Sequence, residues 1–413
     1  MDNAVTIFPP QGIDTVVAMP PSKSMVMREM VMDALAAGTT RNGDGQDLCD
    51  DIRVMARGLR PPDSPGTPAI DAGASGTALR LLAAYWALKT RREIILTGTR
   101  RLLQRPVEPL LNALREMGAD IGHGPGSPIR IRPATLTGGQ VAVDASLSSQ
   151  FATALLLIAP AVGGMTLRLT GDIASRTYID LTLDMMNRRG IDAHWTADDV
   201  IDVPAGEYLA GFGDDEGDWS AAAFWLALQA MAPEARIGIT SLRPDSTQGD
   251  RRMLTLLGQM GWRADWQTGT LRLRRAAECC CATYADLGGT PDLVPVLTVM
   301  LCLTGRPFHI TGTDRLRIKE SDRLEALRDG LRRLGYDIRI QTDAAIDWHF
   351  ERCTADPDPI IDSRGDHRIA MAFALASLTH PGIRITGADA VGKSYPMFWR
   401  HLSQAGFTVT PAI

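Results

Sequence analysis

The sequence has little lysine, no paired cysteine motif and no long hydrophobic run. Of its 43 basic residues only four are lysines, namely Lys23, Lys89, Lys319 and Lys393, and the others are arginine. The cysteines, at positions 49, 279, 280, 281, 302 and 353, form no CxxC pair, which predicts reduced thiols and no structural zinc. The most apolar run, from 151 to 165, contains Pro160 and is too short to span a bilayer. The first residues do not resemble a secretory signal, so we expect a cytoplasmic protein.

Composition and length narrow the class of protein. With 413 residues, of which 45% are hydrophobic and 22% charged, the chain has the composition of a globular protein and is long enough for two domains. Its net charge of −5 argues against general nucleic-acid binding, so any anionic ligand must be met by a local cationic pocket. We expect no nucleic-acid partner, no membrane association, no metal and no cofactor.

Three of the four lysines lie in dense polar clusters. These are Pro-Ser-Lys23-Ser, Arg-Ile-Lys319-Glu-Ser-Asp-Arg and Gly-Lys393-Ser, whereas Lys89 ends an apolar helical pattern and is predicted at the surface. Lysine can give up a proton and arginine effectively cannot, so lysines retained in an arginine-rich chain are candidates for chemistry. The alternative is that an arginine-rich composition left four lysines at random positions.

A repeat of about 70 residues runs along the chain. Five amphipathic helical patterns end in a glycine followed by a strand pattern, which predicts a glycine just past each helix end. The five glycines, with spacings of 72, 71, 74 and 71, are Gly118, Gly190, Gly261, Gly335 and Gly406. Such self-similarity indicates one structural unit used repeatedly.

A second kind of helix alternates with the first and is apolar nearly all round, which predicts burial. Its copies are expected to start near Ser24, Gly76, Ser149, Ser220, Asp292 and His367. Each is followed by a short strand pattern such as EIILTG or FHITG. The period exceeds that of ordinary solenoids, so we predict an α/β fold of closed βα units, three in each of two domains, with the apolar helices inside.

Polar residues suited to anions or proton transfer stand at the starts of these buried helices. Helix N-termini offer unpaired N–H groups and a positive dipole end, although serine, threonine and aspartate are also ordinary caps. Lys23 and Arg28 are placed to hold one anion. The segment from Arg317 to Arg323 places three cations and two carboxylates together, which favours a proton-transfer centre around Lys319 and Glu320 over a solvated helix start.

Ten short motifs occur in one order along nearly the whole chain and carry a family resemblance. They are PSKSMVMR, GASGTALRLL, QRPVEPLL, SSQF, SRTYID, STQGDRR, TPD, RIKESDR, DHRIAM and GKSYP. Together they resemble the enolpyruvyl transferase family, and within it the 5-enolpyruvylshikimate-3-phosphate synthases of aromatic amino acid biosynthesis. The resemblance implies transfer of the carboxyvinyl group of phosphoenolpyruvate to the 5-hydroxyl of shikimate 3-phosphate, with release of phosphate. Glyphosate is the family's inhibitor.

The resemblance also implies an architecture. Six βαβαββ repeats would form two domains, three repeats in each. The first domain would be discontinuous, made of residues 1–18 and 217–413, and residues 19–216 would be inserted as the second. The active site would lie in the cleft between them, and the enzyme would act as a monomer.

Individual roles follow from the same resemblance. The implied catalytic residues are Lys23, Asp292 as the base for the 5-hydroxyl proton, and Glu320 as the acid for the methylene carbon. The implied shikimate 3-phosphate contacts are Lys23, Ser24, Arg28, Ser148, Ser149, Gln150, Ser175, Tyr178, Asp292 and Lys319. The implied phosphoenolpyruvate contacts are Lys23, Gly76, Thr77, Arg105, Gln150, Arg323, Arg368 and Lys393.

The chain departs from the family pattern at Ala74, where asparagine is usual, at Arg315 and at Trp219. Two other interpretations of the sequence compete with the 5-enolpyruvylshikimate-3-phosphate synthase resemblance. A sister enzyme transfers the same group to a UDP-aminosugar and would typically show Lys-Asn where this chain has Lys23-Ser24. A non-catalytic scaffold for anions would need the cationic helix starts but neither Asp292 nor Glu320.

Overall fold

The chain folds into two compact units. A computed structural model describes residues 3–36, 48–60, 66–211, 216–276, 282–342 and 344–412, so the run of cysteines at 279–281 lies outside the described residues. Unit 1 comprises Met1–Ser22 and Glu216–Ile413, and unit 2 comprises Lys23–Asp215. Within the described ranges, no helix has both the length and the apolarity needed to cross a membrane.

Short strands are the commonest element of the described ranges. In chain order they are β1 (Val5–Phe8), β2 (Asp14–Ala18), β3 (Ala69–Asp71), β4 (Ile94–Thr97), β5 (Asp120–Gly122), β6 (Ile129–Arg132), β7 (Gly139–Asp144), β8 (Met165–Thr170), β9 (His194–Ala197), β10 (Val200–Val203), β11 (Arg236–Thr240), β12 (Trp262–Gln267), β13 (Thr270–Arg275), β14 (Thr283–Asp286), β15 (Phe308–Thr311), β16 (Arg339–Gln341), β17 (Ala345–Trp348), β18 (Ile360–Asp362), β19 (Ile383–Thr386) and β20 (Thr408–Pro411).

Helices alternate with these strands. In chain order they are α1 (Lys23–Ala36), α2 (Asp50–Leu59), α3 (Gly76–Lys89), α4 (Arg100–Leu103), α5 (Glu108–Glu116), α6 (Ser149–Ile158), α7 (Arg176–Arg188), α8 (Trp219–Met231), α9 (Met253–Gln259), α10 (Val294–Leu303), α11 (Arg323–Arg333), α12 (His367–Ala374) and α13 (Phe398–Gln404). The mixed α/β class agrees with the sequence pattern.

The strands form four-stranded sheets that share one order. Unit 2 contains β3-β4-β6-β5 and β7-β8-β10-β9, and unit 1 contains β14-β15-β17-β16, β18-β19-β1-β20 and β2-β11-β13-β12. In each, the first two strands run parallel and the remaining pairings are antiparallel. A parallel pair needs a crossover, and a buried helix supplies it in every case except β2 to β11, where unit 2 is inserted as well.

Strand β1 completes a sheet whose other strands come from the far end of the chain. Ile7 stands opposite Ile383 of β19 on one side and opposite Val409 of β20 on the other. Its side chain is fully buried. Strand β2 is likewise far in sequence from its partner β11, with Asp14 opposite Arg236. Unit 1 is therefore held together by pairings between segments that are distant in the sequence.

The five glycines of the repeat lie just beyond helix ends, as the spacing predicts. Each has a left-handed backbone, with φ between 81° and 104°. After α5, Gly118 N donates to Arg115 O, and Ala119 N donates to Leu114 O, which is the hydrogen-bond pattern of a Schellman cap. A residue with a side chain is strained at such a φ, so the sequence signal has a direct conformational cause.

The helices predicted to be apolar all round form the cores of both units. In α10 every residue from Val294 to Cys302 is buried, and α6 is buried from Phe151 to Ile158. Trp219, one of the departures from the family pattern, is fully buried at the start of α8, with its ring centroid 6.3 Å from that of Trp266. Lys89 is exposed at the end of α3, as predicted. Because the bodies of these helices are buried and apolar, their polar residues are found at the helix starts.

Candidate active site

Three helix starts of unit 1 bring charged residues together. Asp292 lies in the single 3₁₀ turn Pro291–Leu293 that leads into α10. Arg323 is the first residue of α11, and Arg368 is the second residue of α12. The Asp366 carboxylate caps α12 by accepting a hydrogen bond from the Arg368 backbone N–H. These helices pack through their apolar sides, and their polar ends meet as a consequence.

Arg323 connects the carboxylates of this cluster. Its side chain is only 1% exposed. Nη1 lies 2.8 Å from Asp292 Oδ1, Nη2 lies 3.0 Å from Glu320 Oε2, and Nε lies 2.8 Å from Asp366 Oδ2. One guanidinium thus holds the predicted base and the predicted acid at the same time. Its planar arrangement of donors suits several carboxylates at once.

Two further cations complete the cluster. Arg368 Nη2 lies 3.0 Å from the second oxygen of Asp292, and Lys393 Nζ lies 3.0 Å from Glu320 Oε1. Both cations are largely buried, and Lys393 ends the 3₁₀ segment Ala388–Lys393. Direct ion pairs therefore join the predicted carboxylates Asp292 and Glu320 with Arg323, Arg368 and Lys393.

The charged neighbours of Asp292 and Arg323 keep both side chains ionised. Burial opposes ionisation of Asp292, but Arg368, Arg323 and Lys319 outweigh it and hold the pKa of this carboxyl far below its usual range. Burial alone would lower the pKa of Arg323, and the carboxylates of Asp366, Glu320 and Asp292 raise it instead. Asp292 is thus an ionised carboxylate that accepts hydrogen bonds.

Asp250 belongs to the same region and was missed as a site residue. It is 3% exposed and accepts a hydrogen bond from the Ser220 hydroxyl. Burial, followed by the nearby charge of Asp292, raises the pKa of Asp250 from 3.8 to about 7. The sequence carried a signal, because Asp250 lies in the STQGDRR motif, but its partners are distant in sequence.

The RIKESDR segment does not act as one cluster. Arg317 Nη1 turns to Asp322 Oδ2 at 2.6 Å and Glu325 Oε1 at 3.1 Å, and Asp322 caps α11. Lys319 is half-buried and acts on Asp292 through its charge. Arg317 and Asp322 therefore stabilise the start of α11, as residues of an ordinary helix start would. Lys319, Glu320 and Arg323 instead interact within the cluster around Asp292.

In unit 2, Lys23 begins α1 and pairs with a residue that the sequence did not point to. Lys23 Nζ lies 3.0 Å from Asp51 Oδ2 in the first turn of α2, and the Asp51 side chain is 5% exposed. The side chain of Ser24 is half-buried in the first turn of α1. The ammonium is thus positioned by a buried carboxylate, which a surface lysine would not have.

Arg28 is buried one turn further along α1 and donates to neutral oxygens. Its Nε lies 2.8 Å from Thr182 Oγ1, Nη1 lies 2.7 Å from Ser24 O, and Nη2 lies within 3.3 Å of Thr153 Oγ1 and Tyr178 O. Burial lowers the pKa of Arg28 to about 10, so it remains a cation at neutral pH. A buried cation with neutral partners favours an anionic ligand nearby.

A second group of unit 2 forms around Gln150. Its Nε2 donates to Thr77 Oγ1 at 2.8 Å, and its Oε1 accepts from Arg80 Nη1 at 2.8 Å. A Cβ atom placed on Gly76 would come within 2.6 Å of Arg80 Nη1 and 2.7 Å of Arg105 Nη1. Two guanidinium groups therefore converge over a residue without a side chain. Arg80, which the sequence analysis did not single out, belongs to this group.

The remaining predicted contacts also stand at helix starts of unit 2. Ser148 caps α6 by accepting from Gln150 N, and Ser149 is buried beside it. Ser175 precedes α7 with a left-handed backbone at φ 49°, a conformation that non-glycine residues adopt at functional sites more often than elsewhere. Tyr178 offers its carbonyl to Arg28. Of the departures from the family pattern, Ala74 is exposed just before α3. Arg315 Nε lies 3.6 Å from Asp314 Oδ2.

Comparison with known proteins identifies the family. The sequence profile described as EPSP synthase (3-phosphoshikimate 1-carboxyvinyltransferase) matches residues 63–402. A 3-phosphoshikimate 1-carboxyvinyltransferase of Bacteroides fragilis is 38% identical over 97% of each chain. The chain belongs to the EPSP synthase family. A relative with the same name from Methanoculleus marisnigri is 36% identical, over 95% of this chain and 97% of its own.

Solved structures of the EPSP synthase family share the fold. The EPSP synthase of Acinetobacter baumannii superposes with a TM-score of 0.72 over 99% of this chain and 100% of its own, at 23% identity. This likeness concerns the fold alone. Because the chain belongs to the EPSP synthase family, the charged helix starts of both units are candidates for the substrate-binding residues of such an enzyme.

Proposed function

We propose that the protein transfers the enolpyruvyl group of phosphoenolpyruvate to the 5-hydroxyl of shikimate 3-phosphate and releases phosphate. The charged cluster of unit 1 and the polar helix starts of unit 2 would be the two halves of its active site. One observation carries the assignment of residues: Arg323 holds Asp292 at 2.8 Å and Glu320 at 3.0 Å. A base and an acid tied to one guanidinium are suited to a reaction that removes one proton and adds another.

The ion pairs suggest how substrate binding prepares the acid and the base. Phosphoenolpyruvate carries a carboxylate and a phosphate, and these anions compete with Asp292 and Glu320 for Arg323, Arg368 and Lys393. Each cation that turns to the substrate withdraws part of the stabilisation of a carboxylate, so the pKa of Asp292 rises towards that of a useful base. The resting enzyme would thus keep its base inactive until the anion arrives.

The chemistry balances as addition followed by elimination. Asp292 takes the 5-hydroxyl proton as the oxygen bonds to C2 of phosphoenolpyruvate, and Glu320 gives a proton to C3. The C2–O bond to phosphate then breaks, and a proton leaves C3 to restore the double bond. Cations of both units, including Lys23, Arg28 and Arg105, would neutralise the phosphates and the carboxylate.

We also propose the finer architecture that the resemblance implies. Five sheets with the same strand order support six βαβαββ repeats, three in each unit, with the exchange between units near residues 18 and 217. The catalytic cleft would lie between the units. As the resemblance implies, the enzyme would act as a monomer.

Phosphate release tests the reaction. With both substrates, the protein should release phosphate in proportion to the product formed. With UDP-N-acetylglucosamine in place of shikimate 3-phosphate, no release is expected, and the reverse pattern would assign the chain to the sister activity. No release with either acceptor would leave an anion-binding scaffold as the better explanation.

Asp292→Asn and Glu320→Gln test the roles of the two carboxylates. General acid–base groups contribute on the order of 10²–10⁴-fold, so turnover should fall by that amount while substrate binding remains measurable by calorimetry. Asp337→Asn is a matched control, because the Asp337 side chain is 45% exposed and lies 3.7 Å from a surface arginine, Arg332. Loss of binding in step with loss of turnover would show that the carboxylates are structural.

A further inference from the structure

Unit 1 contains a cavity that the reaction does not use. Its volume is about 300 Å³, at the lower end of the range for small-molecule sites. It is lined by the C-terminal residues of α8 and α10, by residues around the start of β12, and by the end of β13. The catalytic groups stand at the opposite ends of α8 and α10, where Asp250 bonds Ser220 and Asp292 precedes α10.

The separation between the two places follows from helix length. Helix α8 has 13 residues and α10 has 10, so at 1.5 Å per residue the cavity lies about 15–20 Å from the carboxylate cluster. A ligand in this cavity would touch none of the residues assigned to either substrate. The cavity therefore represents a separate site on the same two helices.

Most of the residues that line the cavity are of apolar type, and three of them are methionines. Met260, Met300 and Trp262 are buried, and Met231 and Leu303 are half-buried beside them. Methionine side chains make favourable contacts with aromatic rings and adapt to their shape. These side chains suit a flat hydrophobic group on one side of the cavity.

The polar side of the cavity is cationic. Arg306, just after α10, is half-buried, and its Nη1 is buried without any hydrogen-bond acceptor among the described residues. Arg275 lines the same cavity from the exposed end of β13. Among the described lining residues none is acidic. A guanidinium on a cavity wall that has no acidic residue among those described favours an anionic ligand, and a carboxylate matches its paired donors.

We propose that this cavity binds a small aromatic carboxylate. The ring would lie against Met260, Trp262 and Met300, and the carboxylate would accept hydrogen bonds from Arg306. Each half of the ligand matches one part of the wall: the methionines and Trp262 suit a ring, and Arg306 favours an anion over a neutral ring. The site lies on α8 and α10. Its occupant would therefore contact the helix that contains Ser220, which is α8, and the helix that begins just after Asp292, which is α10.

Calorimetric titration of the full chain with 2-naphthoate tests the proposal. Excess shikimate 3-phosphate and inorganic phosphate keep the catalytic cations occupied during the titration. A ligand of this size should bind with a Kd of about 1 mM or below. The neutral amide of the same ring should bind at least roughly tenfold more weakly, because it lacks the charge that Arg306 recognises.

Variants locate the site. Arg306→Gln should weaken 2-naphthoate roughly 10- to 100-fold, and Leu303→Trp should abolish binding by filling the cavity. Arg236→Gln is the matched control, because Arg236 is a surface arginine of the same unit whose side chain is 75% exposed. Both cavity variants should keep the wild-type rate of phosphate release, which shows that they are folded.

Three results would overturn the proposal. The first is an absence of binding to the wild-type chain at 10-fold above the expected Kd. The second is equal binding by Arg306→Gln and the wild type. The third is displacement of 2-naphthoate by the substrates with no effect of Leu303→Trp, which would place the ligand among the catalytic cations instead.

Discussion

At the scale of single residues, Asp250 makes the stability of the protein depend on pH. Its pKa is raised from 3.8 to about 7 in the folded state. The folded protein therefore holds a proton between about pH 4 and 7 that the unfolded chain has released, so stability falls as the pH rises through that window. Asp292 is shifted in the opposite direction, and its contribution is lost only as the pH falls below the usual range of aspartate.

Asp250→Asn should remove this pH dependence. The amide keeps the volume of the side chain and its hydrogen bond to Ser220, but it does not titrate. In urea denaturation, the loss of unfolding free energy between pH 5 and pH 8, at most roughly 3 kcal/mol in the wild type, should shrink in the variant. Asp245→Asn is the control, since that carboxylate is 74% exposed. An unchanged slope in Asp250→Asn would contradict the raised pKa.

The lysines offer a second test at this scale. Lys23→Arg and Lys393→Arg keep the charge, but the wider guanidinium cannot take the place of an ammonium held 3.0 Å from Asp51 or Glu320. Phosphate release should fall roughly 100-fold in each variant. Lys89→Arg, on the exposed end of α3, should keep the wild-type rate. Similar rates for all three variants would show that the scarcity of lysine carries no chemical meaning.

Gly76→Ala tests the convergence of Arg80 and Arg105. The new methyl group would meet the ends of both side chains at 2.6 and 2.7 Å and push them aside. We expect the KM for phosphoenolpyruvate to rise about 3- to 10-fold, in line with a weakened charged hydrogen bond, and the affinity for glyphosate to fall further. Gly258→Ala is the control, because no atom of the described residues lies within 4 Å of its Cβ position. A KM equal to that of the wild type would show that the two arginines adapt freely.

At the scale of elements, helix ends were predictable from the sequence and ion pairs were not. The glycines at 118, 190, 261, 335 and 406 mark helix ends because the left-handed backbone there is a local requirement. The partners Lys23 and Asp51 are 28 residues apart, and Arg80 and Gln150 are 70 apart. Such pairs are set by the packing of helices, which no local pattern encodes. Asp51, Arg80 and Asp250 were missed for this reason.

Gly118→Ala tests the role of the helix-end glycines. A residue with a Cβ is strained by about 1–2 kcal/mol at φ 104°, and here the Cβ would also come within 2.8 Å of the Thr135 carbonyl. Gly335→Ala has a similar φ of 88°, but its nearest neighbour is a methyl group at 3.2 Å. Urea denaturation should show the larger loss of stability for Gly118→Ala. Equal losses would show that the carbonyl moves without strain.

At the scale of the whole molecule, the two units differ in continuity. Unit 2 is one stretch of chain, whereas unit 1 needs β1 and β2 from the segment before unit 2. Expressed alone, residues 23–215 should unfold cooperatively in urea, because both of their described sheets take all four strands from this one segment. Residues 216–413 alone should bind a hydrophobic dye and show no cooperative transition, since two of their sheets lack a strand. A cooperative transition of the second fragment would contradict this dependence on β1 and β2.

The position of β1 in the sequence also delays its pairing during synthesis. A ribosome makes β1 at residue 5 but reaches its neighbour β19 only at residue 383, which at about 5–20 residues per second is a delay of roughly 20–75 s. During that interval Val5 and Ile7 have neither strand partner, while the residues of unit 2 are made and can fold. Pairing of β1 therefore waits until residues 383–411 have been made, and the nascent chain carries an unpaired apolar strand during that interval.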